Sequence, residues 1–183
     1  MHYILVLDDK LEVYTMSIEI KKLSLDDGED IYQMLQSIPA NENGFINSAN
    51  GKSYEEYKEW LVGAMENSLQ ESVIDGWKVP QTTYWLYENG KPVGYGKIRH
   101  FLTDKLLADG GNVGYAIIPS ARNKGLGRAF LKLLIMESEL LGVERVLLTI
   151  REENKVSLAV ALANGGIMEK NEAGKYYIWI DRE

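Results

Sequence analysis

Apolar residues recur along this chain with two periods, and each change of period marks an element boundary. Alternation comes first: Ile18 and Ile20 stand between polar residues in the segment 17–23, as in a half-buried strand. Upstream, the apolar runs 3–7 and 11–14 flank Asp8, Asp9 and Lys10 and read as a hairpin. Residues 1–15 are therefore expected to extend a single domain spanning 16–183. Ile31, Met34 and Leu35 fall at helical spacing, with Asp26 or Asp27 as the N-cap, Glu29 and Asp30 in the first turn and Pro39 as the stop. Residues 40–52 are polar apart from Phe45 and Ile46 and read as a surface loop. Ser53 and Glu56 make a capping box before Tyr57, Trp60, Leu61, Ala64, Met65 and Leu69, an amphipathic helix whose aromatic stripe belongs in a core.

The segment 72–80 has no period, and alternation then resumes. Residues 82–87 and 93–98 form two strands around Asn89-Gly90, the strongest hairpin signal in the chain. A loop is expected over 101–111 and a strand over 112–118. A helix begins at Leu126, carries Leu126, Ala129, Phe130, Leu133 and Leu134 on one face, and should stop at Gly142. The continuous apolar run 146–150 suits a strand buried on both faces, and a strand-helix-strand crossover would set it parallel to the strand ending at Ile118. Asn154 opens a short helix through Val156, Leu158 and Ala161, and residues 167–169 and 176–180 close the chain as a hairpin.

Composition narrows the chemistry. The 183 residues include no cysteine and two histidines, which excludes disulfides, thiolate metal sites and a cysteine acyl-enzyme and points to no metal. A formal net charge of −7 argues against nucleic acid as a partner and leans toward cationic ligands. No apolar run has membrane-spanning length, so the expected location is cytoplasmic, away from any membrane.

The turn between Pro119 and Phe130 is basic and glycine-rich, and it leads from a buried strand into a helix. Free N–H groups, close backbone approach at glycine and the helix dipole make such a turn suited to an anion. A Lys-Ser/Thr pair does not follow Gly127, which excludes the P-loop; Phe130 stands where the dinucleotide fingerprint needs a third glycine. On spacing alone, a turn that merely caps the helix is an equal alternative.

Arg122-Asn123-Lys124-Gly125-Leu126-Gly127, preceded by Ile117-Ile118-Pro119 and followed by Asn154, resembles the acetyl-coenzyme A motif of the GNAT superfamily of N-acetyltransferases. The likeness runs from about Met16 onward. A bacterial branch of predicted acetyltransferases is resembled in Asn43-Gly44-Phe45, Asn47, Val79-Pro80, Thr82 to Trp85, Ile98-Arg99-His100 and Gly110-Gly111. The resemblance implies an α/β (α+β) fold: a single mixed, mostly antiparallel sheet with one parallel strand pair at a splayed centre and helices on both faces. It implies acetyl-coenzyme A as co-substrate and direct transfer to an amine in a ternary complex, with a non-catalytic acetyl-coenzyme A sensor as the alternative. Pantetheine would follow the backbone of Ile117 and Ile118, pyrophosphate the N–H groups from Asn123 to Arg128 with Arg122, Lys124 and Arg128 adding charge, and Asn154 would tether the arm. A backbone N–H near Ile117 would serve the oxyanion. The tyrosine that often protonates the thiolate in this superfamily is replaced by Ala161. Candidates for proton transfer are His100, Tyr115, Asp109, Asp104 and Glu42, with His100 favoured by its intrinsic pKa. Phe45, Trp85 and Arg99 are the candidates for contacts to the acceptor, a small-molecule or peptide amine. Oligomeric state stays open, a homodimer included.

Overall fold

The computed structural model describes residues 2–5, 16–69 and 76–181. Strand β1 (His2–Leu5) pairs antiparallel with β2 (Met16–Lys22), His2 opposite Glu19; residues 6–15, with most of the expected hairpin, lie outside the described residues. Helix α1 (Glu29–Ser37) follows, capped by Gly28 rather than by Asp26 or Asp27. The Asp27 carboxylate turns inward instead, accepting from Ser24 N at 2.8 Å and from Trp85 Nε1 at 2.6 Å. The polar segment beyond Pro39 holds a two-residue ladder of β3 (Asn41–Glu42) and β4 (Phe45–Ile46), reversed at Asn43 and Gly44, both with positive φ. Helix α2 (Tyr54–Glu66) carries the expected capping box and ends before Leu69, which is exposed.

Strands β5 (Gln81–Glu88) and β6 (Lys91–Arg99) form the hairpin, with φ 49° at Asn89 and 76° at Gly90. Positive φ at both central residues is what a two-residue turn between twisted strands requires. The loop that follows contains a short helix, α3 (Asp104–Ala108), because the Thr103 side chain accepts from Leu106 N and caps it. Then come β7 (Val113–Ile117), α4 (Leu126–Leu140), β8 (Arg145–Arg151), α5 (Lys155–Leu162), β9 (Ile167–Glu172) and β10 (Lys175–Asp181).

The fold is mixed α+β, but its strands make two main sheets rather than one. The larger runs β1-β2-β5-β6-β7 and the smaller β8-β10-β9, and every ladder among the described residues is antiparallel. No ladder joins β7 to β8. They meet at one end, where Asn112 N donates to Leu147 O at 2.8 Å and Leu147 N donates to the Asn112 side chain at 2.9 Å. A side chain there takes the place of a backbone partner, so pairing does not propagate. Two cores cover opposite faces. Phe130, Leu131 and Leu134 of α4 pack on Leu86, Ile98, Leu148 and Ile178; Ile31, Leu35, Tyr57 and Leu61 of α1 and α2 pack on Trp85 and Tyr95. Each fully buried side chain of this size contributes about 1.5–3 kcal/mol.

Candidate active site

The start of α4 leaves backbone donors open. Pro119 to Ala121 form a single 3₁₀ turn, and Asn123 (φ 64°) and Gly125 (φ 78°) reverse the chain in left-handed conformation. Gly125 is the N-cap and offers no side chain, so the N–H groups of Leu126, Gly127 and Arg128 remain without an intrahelical or side-chain acceptor. They share one wall of a cavity of about 680 Å³ with Asn123 and Gly125. The positive end of a 15-residue helix points at the same place.

The cavity continues between the two sheets. Ile118 N donates to Val93 O at 2.9 Å, and an antiparallel ladder uses alternate residues, so the backbone groups of Tyr115 and Ile117 face away from β6. The Ile117 carbonyl accepts from Arg122 Nε at 2.9 Å. Ile118 is thus spent on the sheet and does not line the cavity, whereas Tyr115, Ala116 and Ile117 do. Arg122 also grips Glu42 with both terminal nitrogens, at 2.9 and 2.6 Å, and so ties the β3–β4 hairpin over the cleft. Lys124 points elsewhere, 4.0 Å from Glu88, and Arg128 lines the wall. Across the gap, Asn154 caps α5 by accepting from Ser157 N at 3.1 Å, and it too lines the cavity.

Of the proton-transfer candidates, Tyr115, Asp109 and Glu42 face the cavity; His100 and Asp104 do not. His100 Nε2 lies 2.8 Å from the buried Thr82 hydroxyl, and burial followed by the charge of Lys22 holds its pKa below the usual value. Asp104 heads α3 on the surface. Tyr115 is pushed up to about 12 by burial, opposed by its hydrogen bond with Ser157, so its hydroxyl stays protonated and able to donate. Asp109 pairs with Lys175 at 2.9 Å. Ala161 is wholly buried in the core, so nothing projects from the position of the usual tyrosine. Phe45 and Arg99 line the cavity, but Trp85 is completely buried. Its strand is central, covered by helices on both faces, which leaves no route for Trp85 to a ligand.

Four residues escaped the sequence reading. Lys97 lines the cavity, donates to Ile46 O at 2.7 Å and sits 5.0 Å from the Phe45 ring centre and 4.8 Å from that of Tyr95. Burial, then the neighbouring charge of Arg99, pushes its pKa down to about 7. Its signal was visible: a lysine two residues before Arg99 within an otherwise apolar strand. Arg151 and Lys175 are cross-strand partners that line the same cavity, and Asn112 joins the sheets; no local pattern marks these three.

The sequence model of the acetyltransferase (GNAT) family matches residues 46–165, well over half of the chain. The chain belongs to the GNAT family. No curated protein sequence matches it. Solved GNAT structures share its fold at low identity. A GNAT-family acetyltransferase from Streptococcus pneumoniae is 17% identical, covering 91% of this chain and 99% of its own at a TM-score of 0.58. Campylobacter jejuni N-acetyltransferase PseH, solved with acetyl coenzyme A, is 13% identical with the same coverage and TM-score. The yncA protein of Salmonella typhimurium, solved with its cofactor acetyl-CoA, is 15% identical, covering 91% of this chain and 94% of its own at 0.59. Among the described residues of this GNAT chain, no helix is long and apolar enough to cross a membrane.

Proposed function

We propose that this GNAT chain transfers the acetyl group of acetyl-coenzyme A directly to an amine within a ternary complex. The observation that carries the reading is the uncapped start of α4 opening onto a cleft between two sheets that no ladder joins and that meet at Asn112. The residues fit the co-substrate: the N–H groups of 126–128 and Arg128 would hold its pyrophosphate, and the cleft-facing backbone of Tyr115 and Ile117 would take its amide-bearing arm as an added strand. Asn154, with one amide oxygen spent on the α5 cap, keeps its nitrogen for the same arm.

The co-substrate supplies a thioester, and the chain supplies position and protons. The acceptor nitrogen bonds to the carbonyl carbon, the carbon–sulfur bond breaks, and one proton leaves the nitrogen. The Ile117 N–H, facing the cleft, would stabilise negative charge developing on the carbonyl oxygen. Tyr115 would return a proton to the leaving thiolate in place of the phenol absent at Ala161, and Asp109, on the acceptor side, would receive the acceptor's proton.

A titration with acetyl-coenzyme A followed by an amine panel, read as free thiol release, tests this. Amine-dependent thiol release is expected. Binding without release on any amine would instead favour the sensor reading, for which the buried Ala161 is the supporting observation.

A further inference from the structure

The acceptor half of the cavity carries a charge imbalance that the coenzyme does not explain. Lys97 and Arg99 alternate on β6 and therefore face the same side, and Arg151 and Lys175 stand opposite each other across the β8–β10 ladder. All four line the cavity. Asp109 is the one carboxylate lining it with them, apart from Glu42, and Glu42 is already held by both terminal nitrogens of Arg122. Among the described residues no carboxylate forms an ion pair with Lys97 or Arg151. This occurs in a chain whose net charge is −7. Asp109 pairs with Lys175, which leaves four cations facing one carboxylate; like charges gathered in a cleft repel one another, a cost that an incoming anion reverses.

Their place separates them from the pyrophosphate. Arg99 N bonds Asn112 O, and Lys97 lies opposite Gly114, so both sit toward the start of β7, whereas the α4 cradle lies beyond its end. From Asn112 to Ile118 the strand spans about 20 Å at ~3.3 Å per residue. The β3–β4 hairpin roofs the cationic end: Phe45 and the Ile46 carbonyl contact Lys97, and Gly44 packs against the Arg151 guanidinium.

We propose that the acceptor is an amine bearing an anionic group, a carboxylate or a phosphate, seated among Lys97, Arg99, Arg151 and Lys175. This specifies the acceptor class and rests on the acetyltransferase reading of the same cavity. It also reverses the lean toward a cationic acceptor taken from overall charge, because the field inside a cleft is set by the residues that line it. Burial and the charge of Arg99 lower the Lys97 pKa, and an anion seated beside it would raise it again.

The test uses the full chain saturated with coenzyme A and matched product pairs, followed by calorimetry: N-acetyl-L-alanine against N-acetyl-L-alaninamide, and N-acetyl-phosphoethanolamine against N-acetyl-ethanolamine. The anionic member of at least one pair should bind about tenfold tighter or better, as expected for one charge-assisted contact. The two pairs separate carboxylate from phosphate. Lys97→Met and Arg151→Gln should each abolish most of that preference, and Lys132→Met, on the outer face of α4, should keep it. Arg151 is exposed, so its variant reports even where Lys97→Met disturbs packing. Equal or tighter binding of the neutral members, or no binding of any member, overturns the proposal. The corresponding free amines are then assayed for thiol release. An anion preference without release leaves the anion site standing and rejects the acetyltransferase reading.

Discussion

His100 and Lys97 lie three residues apart on and just beyond one strand, yet the cavity receives only the second. A free imidazole titrates near neutrality, but in the fold burial and Lys22 lower the His100 pKa and its ring is committed to Thr82. His100→Ala should leave kcat/KM and its pH profile unchanged while costing about 1–3 kcal/mol, since the buried Thr82 hydroxyl loses its partner. Steady-state kinetics and denaturant melts check both halves. Lys97 makes the opposite prediction. Its folded pKa of about 7 lies below the unfolded value of 10.5, so between those limits the unfolded chain binds more protons and stability rises with pH. Below pH 7 both states are protonated and the penalty of the buried charge is fully present. Lys97→Met should therefore stabilise the protein most at pH 6, with the gain shrinking as pH climbs from 7 toward 10.5, read by melts of both proteins across that range.

At the scale of elements, the site depends on two strands being kept apart by a joint at one end. Gly111 makes that joint possible: its φ is +57°, and a methyl group there would collide with the Leu147 carbonyl. Gly111→Ala should displace Leu147 from Asn112, lose two hydrogen bonds and add backbone strain of about 1–3 kcal/mol. Stability and acetyl-coenzyme A affinity should fall together, measurable by chemical denaturation and calorimetry. The β3–β4 hairpin is the second such element. It is held by Arg122 to Glu42 and by Lys97 to the Ile46 carbonyl, so one surface segment bridges the coenzyme and acceptor halves of the cavity.

Across the whole molecule, a ligand that bridges both sheets should stabilise the folded state by linkage. At one hundred times its Kd, acetyl-coenzyme A should add about 2.7 kcal/mol. In a chain of this length that raises Tm by roughly 5–10 °C, checked by a thermal melt with and without ligand. The candidate coenzyme half of the site could be proposed from the chain because its geometry is local: Gly125, Gly127 and the helix they open are neighbours in sequence, and the hairpin at Asn89-Gly90 and the capping box at Ser53 are local for the same reason. Trp85 was misplaced because period-2 alternation cannot tell a strand covered on one face from one covered on both. The parallel pair was expected because a crossover permits it; no ladder joins its two strands, which meet through the Asn112 backbone and side chain. The acceptor half was illegible because Lys97, Arg99, Arg151 and Lys175 meet only through strand register between elements far apart in sequence. The sequence by itself determined most of the elements and the open helix start at Gly125, whose contacts span a few residues. Only the tertiary structure decided the charge of the cavity and which candidates reach it, since both depend on how distant strands are brought together.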